Sequence, residues 1–440
     1  MITRRKFNKI STLAGIGVVT GITVPAINSQ AKNFSAIDKI RVGLIGCRSM
    51  GWANLKDFIG NPDVECIALC DVDQAVLDER VKDVFGMTGR KPIVFNDYRK
   101  LLDLKEVDVV IIATPDHWHC LPFVDACKAG KDIYVEKPLA NSIAECNIML
   151  QAAKKYNRIV TVGQQQRSGT EWSKIMERVQ SGKLGNVTRI NCWGNFSYGA
   201  GKPRVSDSTP PQSVDYDRWL GPAPVRSFNE NRFHGFWRMN WDYGGGLMTD
   251  WGVHLLDMAL WAKGDTRKFP ETVEASGGIM RFPGNEIQTP DTLNVVYNYG
   301  DWLLSWEHNG GIQTGSWNRN YGVSFVGTKG TIIANRETWE LIPEGKSDKP
   351  LTAAIPLQTN KQNEHQAHVR NFLDAVKNRK QPDCNIEIGH TAAVTAHLGN
   401  IATRTKAVLA YDDLNKTFNN PEADKLFRPE YRFPFIFPTF

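Results

Sequence analysis

The sequence predicts an α/β fold in two unlike parts: a doubly wound parallel sheet, then an α+β domain carrying a large, mostly antiparallel open sheet. Three observations predict it. Apolar runs alternate regularly with helical stretches from Lys39 to about Gly163. Beyond Gly163 lie eleven of the thirteen tryptophans. There the runs TLNVVYNY and WLLSWEH flank a turn at Gly300, with the alternation of half-buried antiparallel strands. A chain of 440 residues, 41 % hydrophobic, also exceeds what one core usually serves.

The first part reads in order. KIRVGLIGC is a strand, followed by a helical stretch to Ile59 and the strand VECIALC. A helix over Ala75 to Phe85, the strand VDVVIIATP and a helix after His119 continue the alternation. DIYVEKP, a helix over Ile143 to Tyr156 and RIVTVG complete a Rossmann-type domain over residues 38–162. Residues 163–440 form the second domain. Its stretch from Gly199 to Asn240 is rich in Pro, Gly and Asn, and a loop of that length is expected to serve the substrate site. FRPEYRFPFIFPTF is too proline-broken for a helix and too aromatic for water. It is expected as an extended arm on its own domain or on a neighbouring subunit of a homo-oligomer.

The start, TRRKFNK, pairs Arg4 and Arg5 before a Gly-interrupted apolar run and SQA at Ser29 to Ala31. This predicts a twin-arginine export signal over residues 1–31, a periplasmic destination and no membrane anchor after cleavage. Four of the six net positive charges lie in that segment, which has no acid, leaving +2 for the rest. No basic run elsewhere suggests a nucleic-acid partner. The eight cysteines lack paired CxxC spacing and sit in apolar runs, so they read as buried thiols.

GLIGCRSMG joins a strand to a helix, where backbone N–H groups can cradle a pyrophosphate. Gly46, Arg48, Ser49, Met50 and Gly51 are candidates, with Arg48 where the middle glycine of G-x-G-x-x-G would stand. Arg48 either hinders the cofactor or folds outward to pair with a phosphate. Asp71 ends the second strand, placed to accept bonds from a ribose diol and to repel a 2′-phosphate, which favours NAD over NADP. Thr114, Pro115 and His119 end the next strand and are candidates for the cofactor's path. His117 and His119 lack a third ligand at metal spacing, so no metal is expected. Glu136 and Lys137 close the fifth strand, with Lys137 a candidate acid or base beside the nicotinamide. Asp250 and His254 stand four apart, on one face if helical, so that Asp250 could orient an imidazole that takes a hydroxyl proton. Trp237 and Trp241 read equally as sugar-stacking platforms or as core.

Together the glycine turn with Asp71, the TPxxxH loop, EKP at 136–138 and DxGxH at 250–254 resemble the Gfo/Idh/MocA family of nicotinamide-dependent sugar and cyclitol oxidoreductases. The resemblance runs from about Lys39 to Gln381 and implies Lys137, Asp250 and His254 as the catalytic trio, with His254 as base and Lys137 bonding the reacting oxygen. WLGPAP at Trp219 to Pro224 and the YRxP tail resemble exported, glycoside-active members. The implied function is NAD-dependent oxidation of a secondary hydroxyl of a sugar or glycoside with tightly held cofactor. One alternative is an NAD-dependent glycosidase using transient oxidation and elimination, which resembles the sequence less. Another is a non-catalytic sugar-binding protein.

Overall fold

Six parallel strands build the first sheet, and each is short and apolar because helices cover both faces. In the computed structural model, which describes residues 39–264 and 268–440, these are β1 (Ile40–Ile45), β2 (Val64–Cys70), β3 (Ile93–Phe95), β4 (Val109–Ile112), β5 (Asp132–Val135) and β6 (Val160–Val162). Their order, β3-β2-β1-β4-β5-β6, is that of a doubly wound sheet. All of β4, VVII, is buried, each side chain contributing about 1.5–3 kcal/mol by leaving water. The residues of the expected export signal lie outside the described residues.

Helices α1 (Ser49–Ile59), α2 (Gln74–Thr88), α3 (Tyr98–Leu102), α4 (Cys120–Lys128) and α5 (Ile143–Lys155) connect the strands. Asp73 caps α2 by accepting from the Ala75 N–H, and Gly89, at φ 69°, ends it in the left-handed conformation. Ser142 caps α5 in the same way through the Glu145 N–H.

The second part begins with α6 (Thr170–Gln180), β7 (Val187–Gly194), α7 (Tyr216–Leu220) and α8 (Val253–Ala262). Strands β8 (Thr272–Gly278), β9 (Thr292–Asn298), β10 (Leu303–Asn309), β11 (Tyr321–Gly327), β12 (Gly330–Ala334) and β13 (Thr338–Pro343) follow. A two-residue pair, β14 (Gly345–Lys346) and β15 (Lys349–Pro350), precedes β16 (Ile355–Thr359). The eight-stranded order is β16-β13-β12-β11-β7-β10-β9-β8, and only β7 and β10 pair in parallel. The mostly antiparallel open sheet is therefore present, with TLNVVYN and LLSWEHN as the hairpin β9–β10.

The division into domains is not purely sequential. Helix α9 (Glu364–Asn378) returns to the first sheet, where Val369, Phe372, Leu373 and Val376 share a core with Leu55 and Phe58 of α1. Arg370 and Lys377 of α9 both pair with Asp63, holding its carboxyl down to about 2 against the opposing effect of burial. Helix α10 (Ile386–Thr405) is almost wholly buried. All eight cysteines are buried.

Candidate active site

The turn after β1 is shaped by two close approaches. Gly46 has φ +89°, and a Cβ there would come within 2.7 Å of the Ala113 backbone; a Cβ on Gly51 would stand 1.8 Å from the Gly46 carbonyl oxygen. Both positions therefore require glycine. Arg48 has ordinary extended backbone (φ −88°, ψ 170°), is exposed, and precedes α1, whose first N–H groups carry no side-chain cap. The middle position of the motif thus needs no glycine for the chain's own path. Gly46, Arg48, Ser49 and Met50 line one cavity of about 810 Å³, together with Asp71, Thr114, Pro115, Glu136 and Lys137.

Asp71 is tied to the turn: its carboxylate accepts from the Cys47 N–H at 2.7 Å and the Asp73 N–H at 3.0 Å. Burial raises its pKa, and these bonds oppose the rise. A carboxylate offers about four acceptor sites, so these bonds leave acceptor capacity for a ligand. Thr114 Oγ1 is buried without a hydrogen-bond partner among the described residues. A glycine cradle, an open helix N-terminus, a strand-end carboxylate and an orphaned hydroxyl fit a bound dinucleotide.

At the β5 end, Glu136 accepts from Asn54 Nδ2 at 2.9 Å, and Lys137 Nζ donates to Asp250 Oδ1 at 2.6 Å and to the Asp250 carbonyl at 2.8 Å. Arg238 Nε also donates to Asp250 Oδ1 (3.1 Å) and the Tyr198 hydroxyl to Oδ2 (2.5 Å). Burial alone would raise the Asp250 pKa, but the charges of Lys137 and Arg238 outweigh it and hold the carboxyl well below its ordinary range.

This corrects one expectation. Asp250 orients Lys137, not His254. It lies in a π-helical turn, Met248–Gly252, and two cations and a phenol take its lone pairs, outcompeting a neutral imidazole. His254, on α8, is buried, and its Nδ1 has no partner among the described residues. Burial, with Arg336 and Lys137 nearby, pulls its pKa well down and keeps the ring neutral.

His119 is a second correction. It is fully buried and stands apart from the residues that line the cavity; its ring nitrogens lie 2.9 Å from the carbonyls of Pro138 and Thr114, bracing the two loops. Burial brings its pKa down to about 4, so the neutral ring donates to one of the two. From the same loop Trp118 and Asp116 line the cavity instead. Asp116 is 5 % exposed, and burial pushes its carboxyl well above its ordinary value despite Arg238 and Lys137.

Sequence reasoning missed Asp116, Trp118, Tyr198 and Arg238. Asp116 and Trp118 occupy variable positions of the TPxxxH loop, and Arg238 lies within the long loop, whose residues Phe233, His234 and Trp237 also line the cavity. Trp237 belongs chiefly to a buried cluster with Trp219, Phe233 and Tyr243, while Trp241 lies under Arg404 at 5.1 Å. Among the described residues no group of three or more His, Cys, Asp or Glu gathers to hold a metal, and no helix is long and apolar enough to cross a membrane.

A doubly wound sheet with this cradle and strand-end carboxylate, joined to a second domain whose π-helical turn before α8 brings Asp250 to a lysine at β5, defines a dinucleotide-dependent oxidoreductase. The chain belongs to the Gfo/Idh/MocA oxidoreductase family: residues 40–164 match its NAD-binding Rossmann fold, and residues 168–301 and 326–437 match its C-terminal alpha/beta domain. The cofactor of this fold is NAD. The chain is 30 % identical over 205 residues to an alpha-N-acetylgalactosaminidase of Shewanella oneidensis. That match spans 42 % of this chain and 44 % of the relative, less than half of either. Among solved structures, levoglucosan dehydrogenase in complex with NADH and levoglucosan shares the fold at TM-score 0.64 and 18 % identity, covering 85 % of this chain and 99 % of that one. An aldose-aldose oxidoreductase from Caulobacter crescentus does so at TM-score 0.63 and 18 % identity, covering 84 % and 99 %.

Proposed function

We propose that the protein is an NAD-dependent dehydrogenase that oxidises a secondary hydroxyl of a sugar or glycoside and keeps its cofactor between turnovers, the NADH formed being reoxidised in place by a second substrate or carrier that accepts the hydride. The observation that carries this reading is Lys137, which lines the same cavity as the glycine turn and whose Nζ is held 2.6 Å from the Asp250 carboxylate. NAD, when bound, supplies a hydride acceptor. The Lys137 ammonium would donate to the substrate oxygen and stabilise the developing alkoxide. His254, neutral through burial, would accept the hydroxyl proton, while the carbinol C–H leaves as hydride and a ketosugar remains. Asp250, with Tyr198 and Arg238 on its oxygens, fixes the ammonium in direction.

The second reading is an NAD-dependent glycosidase, favoured by the glycosyl hydrolase name of the Shewanella relatives. There the transient ketone would acidify the neighbouring C–H, the aglycone would be eliminated, water would add, and hydride would return to the ketone, with no net redox change. Incubation with a panel of glycosides separates the two: ketosugar with stoichiometric NADH supports the dehydrogenase, and free aglycone without net NADH supports the glycosidase. Export with the cofactor already loaded belongs to the same proposal, because a twin-arginine route carries folded protein. Replacing Arg4 and Arg5 by Lys and following the mature protein by fractionation tests it.

A further inference from the structure

Six consecutive residues near the chain's last position, Pro434 to Thr439, line the same cavity as the glycine turn. Resting on the reading that this cavity holds NAD, we propose that this segment is the adenine-side wall of the cofactor site, with Phe435 and Ile436 packing on the adenine ring. NAD then leaves only when the segment lifts.

The segment is held from both domains. The Tyr431 hydroxyl donates to Glu145 Oε1 of α5 at 2.5 Å. Arg432 donates through Nε to the Gly221 carbonyl and through Nη2 to the Asp217 carbonyl, each at 2.6 Å, and pairs with the Asp217 carboxylate at 2.9 Å. These two anchors place the next residues over the cavity. Phe435 meets Trp118 edge to face at 5.5 Å, and Trp118 meets Tyr98 at 6.0 Å. Tyr98 follows β3, the outermost strand, and Asp71 follows β2 beside it, whereas Lys137 follows β5 on the far side of β1 and β4. The segment therefore faces the ribose-binding half of the cavity and not its reacting end. Ile436 borders the cavity yet is 79 % exposed, so an apolar side chain stands in water until something flat and apolar covers it. Prolines at 434 and 438 limit the segment's conformations, which lowers the entropy lost on ordering it against a ligand.

The test uses the full chain, the Phe435→Ala/Ile436→Ala double variant and a deletion of residues 434–440 that keeps Tyr431 and Arg432. NADH binding is followed by fluorescence titration and its release by chase with excess NAD, with no sugar present, so the outcome is independent of which sugar is oxidised. Losing an aromatic platform for a base weakens binding roughly tenfold or more, and both variants are expected to release NADH at least that much faster. Nicotinamide mononucleotide, which lacks adenosine, should bind wild type and variants equally. Release unchanged in the double variant overturns the proposal, even if the deletion fails to fold. Equal weakening of nicotinamide mononucleotide overturns it too, as general damage to the cavity. A wild type that carries no dinucleotide after purification and also binds no added NADH overturns the dinucleotide reading itself, and this proposal with it; wild type that arrives loaded is first stripped by unfolding and refolding before the titration.

Discussion

Asp250 is assigned to Lys137 and not to His254, and a pair of double-mutant cycles tests that directly. Asp250→Asn keeps the shape of the side chain but leaves Lys137 and Arg238 as two part-buried cations without their counter-charge. Removing one member of a buried ion pair costs about 3–5 kcal/mol. Lys137→Met added to that variant removes one uncompensated charge, so the double variant should recover stability relative to the sum of the singles. Two unit charges about 4 Å apart at an effective dielectric near 20 attract by about 4 kcal/mol. The side chains of this pair are 12 % and 11 % exposed, and Arg238 shares the carboxylate, so the measured coupling is expected near 2 kcal/mol. The assay is urea unfolding of the four proteins. A second cycle, Asp250→Asn with His254→Gln, should give a coupling below about 0.5 kcal/mol, since the imidazole is neutral and unbonded to Asp250. A larger coupling to His254 than to Lys137 would refute the assignment.

Lys137→Ala and His254→Ala should each lower turnover by about 10² or more while NADH titration stays nearly unchanged; near-wild-type turnover in either removes that residue from the site. Asp71 should make NAD bind at least tenfold tighter than NADP, because a 2′-phosphate would meet a carboxylate, and equal affinity in a paired titration excludes that role. The acid limb of kcat/KM belonging to His254 should lie well below pH 6.5, since burial and the nearby Arg336 and Lys137 disfavour its charged form; a limb at or above 6.5 contradicts a buried neutral base. Burial pushes the Glu145 carboxyl up to about 7 against the bonds from Tyr431 and Ser142. The folded state then holds its proton more tightly than the unfolded state, so this contribution is complete below the unfolded value of 4.5 and is lost as pH rises through about 7. On the order of 3 kcal/mol is at stake, and Glu145→Gln should flatten the change in unfolding midpoint between pH 5 and pH 8.

What the sequence made legible was local. The alternation of strand and helix, the outer glycines at 46 and 51, and EKP at the end of β5 are patterns within a few residues of one another, where periodicity and backbone requirements act directly. The contacts that complete the site join distant positions: Lys137 and Asp250 stand 113 residues apart, and Trp118 meets Tyr98 on one side and Phe435 on the other only through the fold. Spacing placed Asp250 and His254 together but carried no information on which donors would compete for the carboxylate. A TPxxxH pattern likewise shows that His119 is near the site, not that its ring turns inward to brace two loops. The return of α9 to the first sheet had no local signature, because an amphipathic face does not name its partner.

The wall formed by residues 434–439 also has a consequence for biosynthesis. Gly46, at the cavity's first edge, precedes Phe435 by almost 390 residues. At a synthesis rate of about 5–20 residues per second, roughly 20–80 s separate the two. Once α9 has closed the core beneath them and until residues 434–439 are in place, the glycine turn and Asp71 form a trough open on the adenine side, and a dinucleotide can enter laterally without displacing protein. Once residues 431–439 settle onto Glu145 and Gly221, entry requires undoing those contacts. Cofactor supply at the time of synthesis would then set the fraction of molecules that are ever competent.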